Sequence, residues 1–76
     1  MIDTRLNVFL SVARNLSFTK ASQELFISQP AISKHIKELE SEYNTCLFER
    51  MGTRIELTKA GKILLDNAEI IIQQYK

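Results

Sequence analysis

Helix-breaking residues are scarce in this sequence. Two glycines and one proline in 76 residues leave few points at which a helix must stop, and they favour a mainly α fold. The single cysteine, Cys46, rules out an internal disulfide and fits a reducing compartment, the cytoplasm. An excess of charge is also missing. Ten Lys and Arg stand against nine Asp and Glu, a formal net charge of +1, so the average composition announces no polyanionic partner. No apolar run approaches the roughly 20 residues that a membrane span needs, and no membrane role is expected. The opening Met-Ile-Asp-Thr-Arg is not a basic leader followed by an apolar core, so no signal peptide is expected. There is no glycine-rich phosphate loop and no nucleophile–base–acid set. His35 and Cys46 do not make the four-ligand set of a zinc site. No enzyme, no metal and no cofactor are therefore expected in this domain.

What is present is a 45% apolar chain, enough for one small core. Leu6, Phe9, Leu10, Ala13 and Leu16 recur at helical spacing, with Val8 and Val12 widening the face. They predict a first helix from about Thr4 to Asn15, capped by Asp3 or Thr4. Ser17 caps a second helix, Phe18 to Phe26, with Phe18, Ala21 and Leu25 inward. Ser28 caps a third, to about Tyr43, with Pro30 in its first turn, where a missing N–H costs nothing. Asn44 tolerates left-handed backbone angles and stops that helix. The period then changes. Leu47–Arg50 and Arg54–Leu57 flank Met51-Gly52-Thr53 and read as a hairpin, and Thr58 caps a last helix.

Leu25, a tight turn through residues 26–28, then Ile32 and Ile36 make a helix-turn-helix spacing, with Ile27 filling the angle. Phe26 holds a turn position often given to a small residue, which predicts a less sharp turn. At about 100° per residue, Ile32, Ile36, Leu39 and Tyr43 share one side of the third helix. Pro30, Ser33, Lys34 and Lys37 share the other, with Gln29 at its edge. Residues 29–37 carry Lys34, His35 and Lys37 and no acid, whereas Glu38, Glu40 and Glu42 follow directly. A small, polar and basic stripe suits a major groove about 12 Å wide, where Gln pairs with adenine and Lys meets guanine or phosphate. The free amides opening the second and third helices also favour phosphate. A polar stripe is equally what any surface helix shows. A winged helix that docks on protein rather than DNA is thus the competing reading. Arg54 near the hairpin tip reads either as a minor-groove or phosphate contact or as a charge guarding the strand edge. Arg50 reads as a structural or phosphate-contacting residue.

In the last helix Ala60, Ile63, Leu64, Leu65, Ala68, Ile70, Ile71, Ile72 and Tyr75 cover well over half the circumference. A lone surface helix needs a stripe of only about 100°. The surplus predicts a second buried face, most simply against the same helix of a second copy. Leu64, Leu65, Ala68, Ile71, Ile72 and Tyr75 are the expected contact positions.

Leu16-Ser17-Phe18-Thr19-Lys20-Ala21-Ser22, Ser28-Gln29-Pro30-Ala31-Ile32-Ser33, Leu47-Phe48-Glu49-Arg50 and Leu57-Thr58-Lys59-Ala60-Gly61 together resemble the N-terminal domain of LysR-type transcription regulators, over essentially the whole chain. The resemblance implies a winged helix-turn-helix over 1–58 and a linker helix over 59–76, with an effector-binding domain lying beyond these residues. It implies sequence-specific binding of double-stranded DNA. Helix 29–43 would enter the major groove with Gln29, Pro30, Ser33 and Lys34 on bases. Thr19, Ser28 and Lys37 would lie near phosphates, and Arg54 of the wing, 48–57, in the minor groove. It further implies an interrupted-dyad, often AT-rich operator, a homodimer through the last helix and tetramers at full length. Lys34 stands where arginine is common, giving a point charge in place of a bidentate fork. A regulator of the molybdate-responsive kind shares a similar N-terminal domain and is the near alternative.

Overall fold

The computed structural model describes residues 4–74, with side chains described for residues 4–70. Three helices come first: α1 (Thr4–Asn15), α2 (Phe18–Leu25) and α3 (Gln29–Tyr43). A hairpin of β1 (Phe48–Met51) and β2 (Arg54–Leu57) follows, and α4 (Lys59–Gln74) closes the order. The strands pair antiparallel, Phe48 opposite Leu57 and Met51 opposite Arg54, with Gly52 at φ +69° in the turn between them. The architecture is the expected mainly α winged helix-turn-helix.

The caps are those the sequence sets out. The Ser17 hydroxyl accepts the Lys20 N–H at 3.1 Å, and the Ser28 hydroxyl accepts the Ala31 N–H at 3.2 Å. Each satisfies one amide that its helix leaves open. Asn44 ends α3 in the left-handed region, at φ 53° and ψ 43°. Asp3, the other candidate cap of α1, lies outside the described residues.

The core centres on α1. Val8, Phe9, Leu10, Val12 and Ala13 are buried there, so Val8 and Val12 are central to the face and not its margin. Ala21, Ile32, Ile36, Leu39, Leu47, Phe48, Ile55 and Ala68 complete the cluster. Phe48 joins the wing to the helices: its ring centroid lies 5.4 Å from that of Phe9 and 6.2 Å from that of Phe18. Such aromatic pairs add about 0.5–1.5 kcal/mol each beyond their burial.

Four local expectations change. Leu16 lies beyond the end of α1 at φ 49° and is 44% exposed, because the chain reverses there and carries its side chain off the core face. Tyr43, on the last turn of α3, overhangs the core edge and is exposed. Phe26 is the left-handed cap of α2 at φ 58° and ψ 38°, not its last helical residue. In that conformation the bulky side chain stands in solvent. The first strand begins at Phe48 rather than Leu47 and takes in Met51.

Gly61 and Thr58 dock α4 on the root of the wing. A Cβ at Gly61 would lie 2.2 Å from the Leu47 carbonyl oxygen, so only glycine allows this approach. The same carbonyl accepts the Thr58 N–H at 3.0 Å. The Thr58 hydroxyl donates to the Cys46 carbonyl at 2.6 Å and accepts the Gly61 N–H at 3.1 Å. The run Leu57-Thr58-Lys59-Ala60-Gly61 is thus a strand end, a cap and a close contact in succession.

Candidate nucleic-acid interface

Helix α3 divides along its length. Ile32, Ile36 and Leu39 are buried against α1 and α2, which fixes the rotation of the helix about its own axis. That rotation exposes Gln29, Pro30, Lys34 and Lys37, with Ser33 half-buried between them. Pro30, Ser33, Lys34 and Lys37 line one open groove. Gln29 and Ser28 stand exposed at its N-terminal end, where helix geometry leaves amides pointing outward. Thr19 is exposed on the first turn of α2, its carbonyl accepting the Ser22 hydroxyl at 2.7 Å, and it does not line the groove.

The wing runs beside α3. Ser33 and Lys37 share a cleft with Glu49 and Arg50 of β1. Arg54 stands elsewhere. It is exposed, lies 3.4 Å from Glu56, and borders a separate cleft with Leu16 and Lys62. Arg50 is therefore the wing arginine next to α3, and Arg54 lies toward the hairpin's far side.

Three interactions escaped the reading by pattern. The Glu40 carboxylate accepts the Leu47 N–H at 2.8 Å and tethers the wing's root to α3. Glu40 falls four residues after Ile36, at the margin of the apolar side, and that spacing distinguishes it from Glu38 and Glu42. Arg5 of α1 reaches the α3 groove and pairs with Glu42 at 3.2 Å. No local signal marks a partner so distant in sequence. Finally, the buried Ser11 hydroxyl donates to the Glu24 carboxylate, which also accepts from the Asn15 side-chain amide at 3.0 Å. These bonds, Ser11 first and then Asn15, hold the Glu24 pKa below its ordinary value. His35 Nδ1 lies 3.4 Å from Glu38 and, among the described residues, has no hydrogen-bond partner. Among the described residues no three His, Cys, Asp or Glu side chains cluster as metal ligands do, and no helix is long and apolar enough to cross a membrane.

On α4, Leu64 and Leu65 are half-buried against the domain's own core. Ala68, expected at a partner contact, is only 1% exposed in the single chain. It faces inward and is used within the domain, because it falls on the side of α4 that packs on the core. The exposed apolar residues of this helix, among those described, are Ile63 and Ile70, one heptad apart on one face. The side chains of Ile71 and Ile72, and Tyr75 altogether, lie outside the described residues.

Residues 4–62 match the family described as Bacterial regulatory helix-turn-helix protein, lysR family. The chain is 42% identical over 72 residues to the RuBisCO operon transcriptional regulator of Allochromatium vinosum, covering 95% of this chain and 24% of that protein. It thus spans about a quarter of the length of such curated relatives. A LysR-family transcriptional regulator from Eggerthella lenta superposes with a TM-score of 0.85 at 42% identity, over 91% of this chain and 99% of that one. The BenM DBD in its catB site 1 DNA complex superposes with a TM-score of 0.90 at 32% identity, over 99% of this chain and 83% of that one.

Proposed function

Because this chain belongs to the lysR family of bacterial regulatory helix-turn-helix proteins, we propose that it is the sequence-specific DNA-binding domain of a bacterial transcription regulator. The observation that carries this reading is the open face of α3. Its opposite side is held in the core by Ile32, Ile36 and Leu39, and what remains outward is short, polar and basic over residues 29–37. Gln29, Pro30, Ser33 and Lys34 take the base edges in the major groove, and Ser28, Lys37 and Thr19 take phosphates. The shared cleft of Ser33, Lys37 and Arg50 supports a phosphate path between α3 and β1. Arg54, exposed near the hairpin turn, is the minor-groove candidate. The likeness to the BenM DBD in its DNA complex supports the same pose.

The remaining parts of this reading concern assembly. Residues 1–58 form the DNA-binding unit and 59–76 a linker helix that pairs with its copy in a homodimer. The exposed pair Ile63 and Ile70 supports a second buried face on α4. A two-fold dimer reads an interrupted dyad, here taken as AT-rich. At full length a C-terminal effector domain and a tetramer follow from the family, in the bacterial cytoplasm and with no cofactor in this domain. Sequencing the duplexes that the chain selects from a random pool tests the proposal. An enriched dyad supports it, and recovery of unenriched sequence or of none counts against it.

A further inference from the structure

The face of α3 that lines the groove changes sign along its length. Positions 30, 34, 38 and 42 recur every four residues and form one stripe. It begins as Pro30 and Lys34 and ends as Glu38 and Glu42, all four lining the same groove. At 1.5 Å per residue, Glu42 stands roughly 12 Å along the axis from Lys34, about one screening length at moderate salt. Its carboxylate is half-exposed and lies 3.2 Å from Arg5, which α1 carries to this end of the groove. Arg5 is not held by Glu42 alone. Glu38, one turn nearer the basic half, lies 3.4 Å from His35.

Resting on the DNA-binding reading above, we propose that Glu42 and Glu38 are specificity determinants that act by repulsion, with Arg5 setting the strength of the repulsion at Glu42. Binding to a random duplex depends on phosphate attraction and fixes no single pose. A helix free to lie along the groove brings its acidic end against phosphate. At a cognate site the N-terminal end of the helix is the part inserted among the bases, and the acidic end tips outward, away from the backbone. The same two carboxylates therefore weaken random binding more than cognate binding. Discrimination rises without any added base contact.

The test measures Kd for the 76-residue chain on a duplex selected from a random pool and on a random duplex of equal length, at low and at moderate salt. Wild type is compared with Glu42→Gln, Glu38→Gln, Arg5→Gln and the Arg5→Gln/Glu42→Gln pair, each checked for wild-type helicity by circular dichroism. Glu42→Gln is expected to tighten random-duplex binding roughly two- to five-fold at low salt, a span typical of single exposed charges, and to tighten the selected duplex less. Glu38→Gln should act in the same direction, one turn nearer the basic half, with the Arg5–Glu42 pair left in place. Arg5→Gln should weaken random binding, and the double variant should return it to near wild type. The gains should shrink as salt is added. Unchanged discrimination in both Glu variants, or equal tightening on both duplexes, overturns the inference while leaving the DNA-binding reading in place. A wild-type chain that binds neither duplex overturns both.

Discussion

The side-chain carboxylate of Glu40 accepts the backbone N–H of Leu47 at 2.8 Å, so the helix that presents the polar face also holds the first residue of the wing's approach. The Phe48 N–H points at the same oxygen from 3.5 Å. Helix and wing are thereby set at one spacing. Glu40→Ala should leave the Leu47 amide without its charged acceptor and destabilise the domain by about 1.5–3 kcal/mol. Urea unfolding measures this. A loss below a few tenths of a kcal/mol would mean that water replaces the carboxylate at no cost.

Base reading should be concentrated at the start of α3. Gln29→Ala should cost about 1–3 kcal/mol on the selected duplex and relax preference at one base pair. Random-duplex affinity should hardly move. An equal loss on both would reduce Gln29 to a general contact.

The two glycines should respond for different reasons. Gly61→Ala places a methyl group against the backbone carbonyl of Leu47, which cannot step aside without moving the wing. A loss of roughly 1–3 kcal/mol, read from thermal or urea unfolding, is expected from such overpacking. Gly52→Ala meets nothing within 4 Å and should show only the left-handed penalty of its φ of +69°, on the order of 1 kcal/mol. A harmless Gly61→Ala would contradict the close docking of α4.

Phe26 offers a stabilising change. Its backbone is left-handed at φ 58° and its side chain is 93% exposed, so the ring gives no burial in return for the strain. Asn visits this region readily. Phe26→Asn should raise unfolding stability by about 1 kcal/mol. A clear loss of stability would show that the ring does pack on the domain.

Acid should weaken the tie between α1 and α2. The Glu24 pKa is depressed, first by the Ser11 hydroxyl and then by the Asn15 amide. A group whose folded pKa lies below its unfolded value contributes stability that is full above the unfolded pKa and is lost as pH falls through the folded one. Ser11→Ala should therefore be less stable than wild type at neutral pH, and the gap should narrow on acidification. Urea midpoints across that range measure it. A gap independent of pH would remove Glu24 from the effect.

How much of this was legible in the sequence depended on the range of each interaction. The caps at Ser17, Ser28 and Asn44 act within three or four residues, and spacing alone located them. So did the buried side of α3, since Ile32, Ile36 and Leu39 repeat at the helical period. Leu16 fitted that period too, yet the chain had already left the helix, and no period reports a reversal in the backbone. Ala68 lay among apolar neighbours on α4, and only packing decided which of them turned inward. Arg5 with Glu42, Ser11 with Glu24 and Glu40 with Leu47 join separate elements, or a helix to a loop, and no local pattern pairs them. Gly61 stood in a recognisable run, but its reason, a carbonyl pressed against its Cα, belongs to the tertiary structure.

A salt titration of binding to the selected duplex tests most directly whether the outward face of α3 meets DNA. The logarithm of affinity should fall linearly with the logarithm of salt concentration, by about 0.9 for each phosphate neutralised, and Lys37→Gln should reduce that slope by about one such unit. Binding indifferent to salt, or a slope that Lys37→Gln leaves unchanged, would contradict the placement of this face on a duplex.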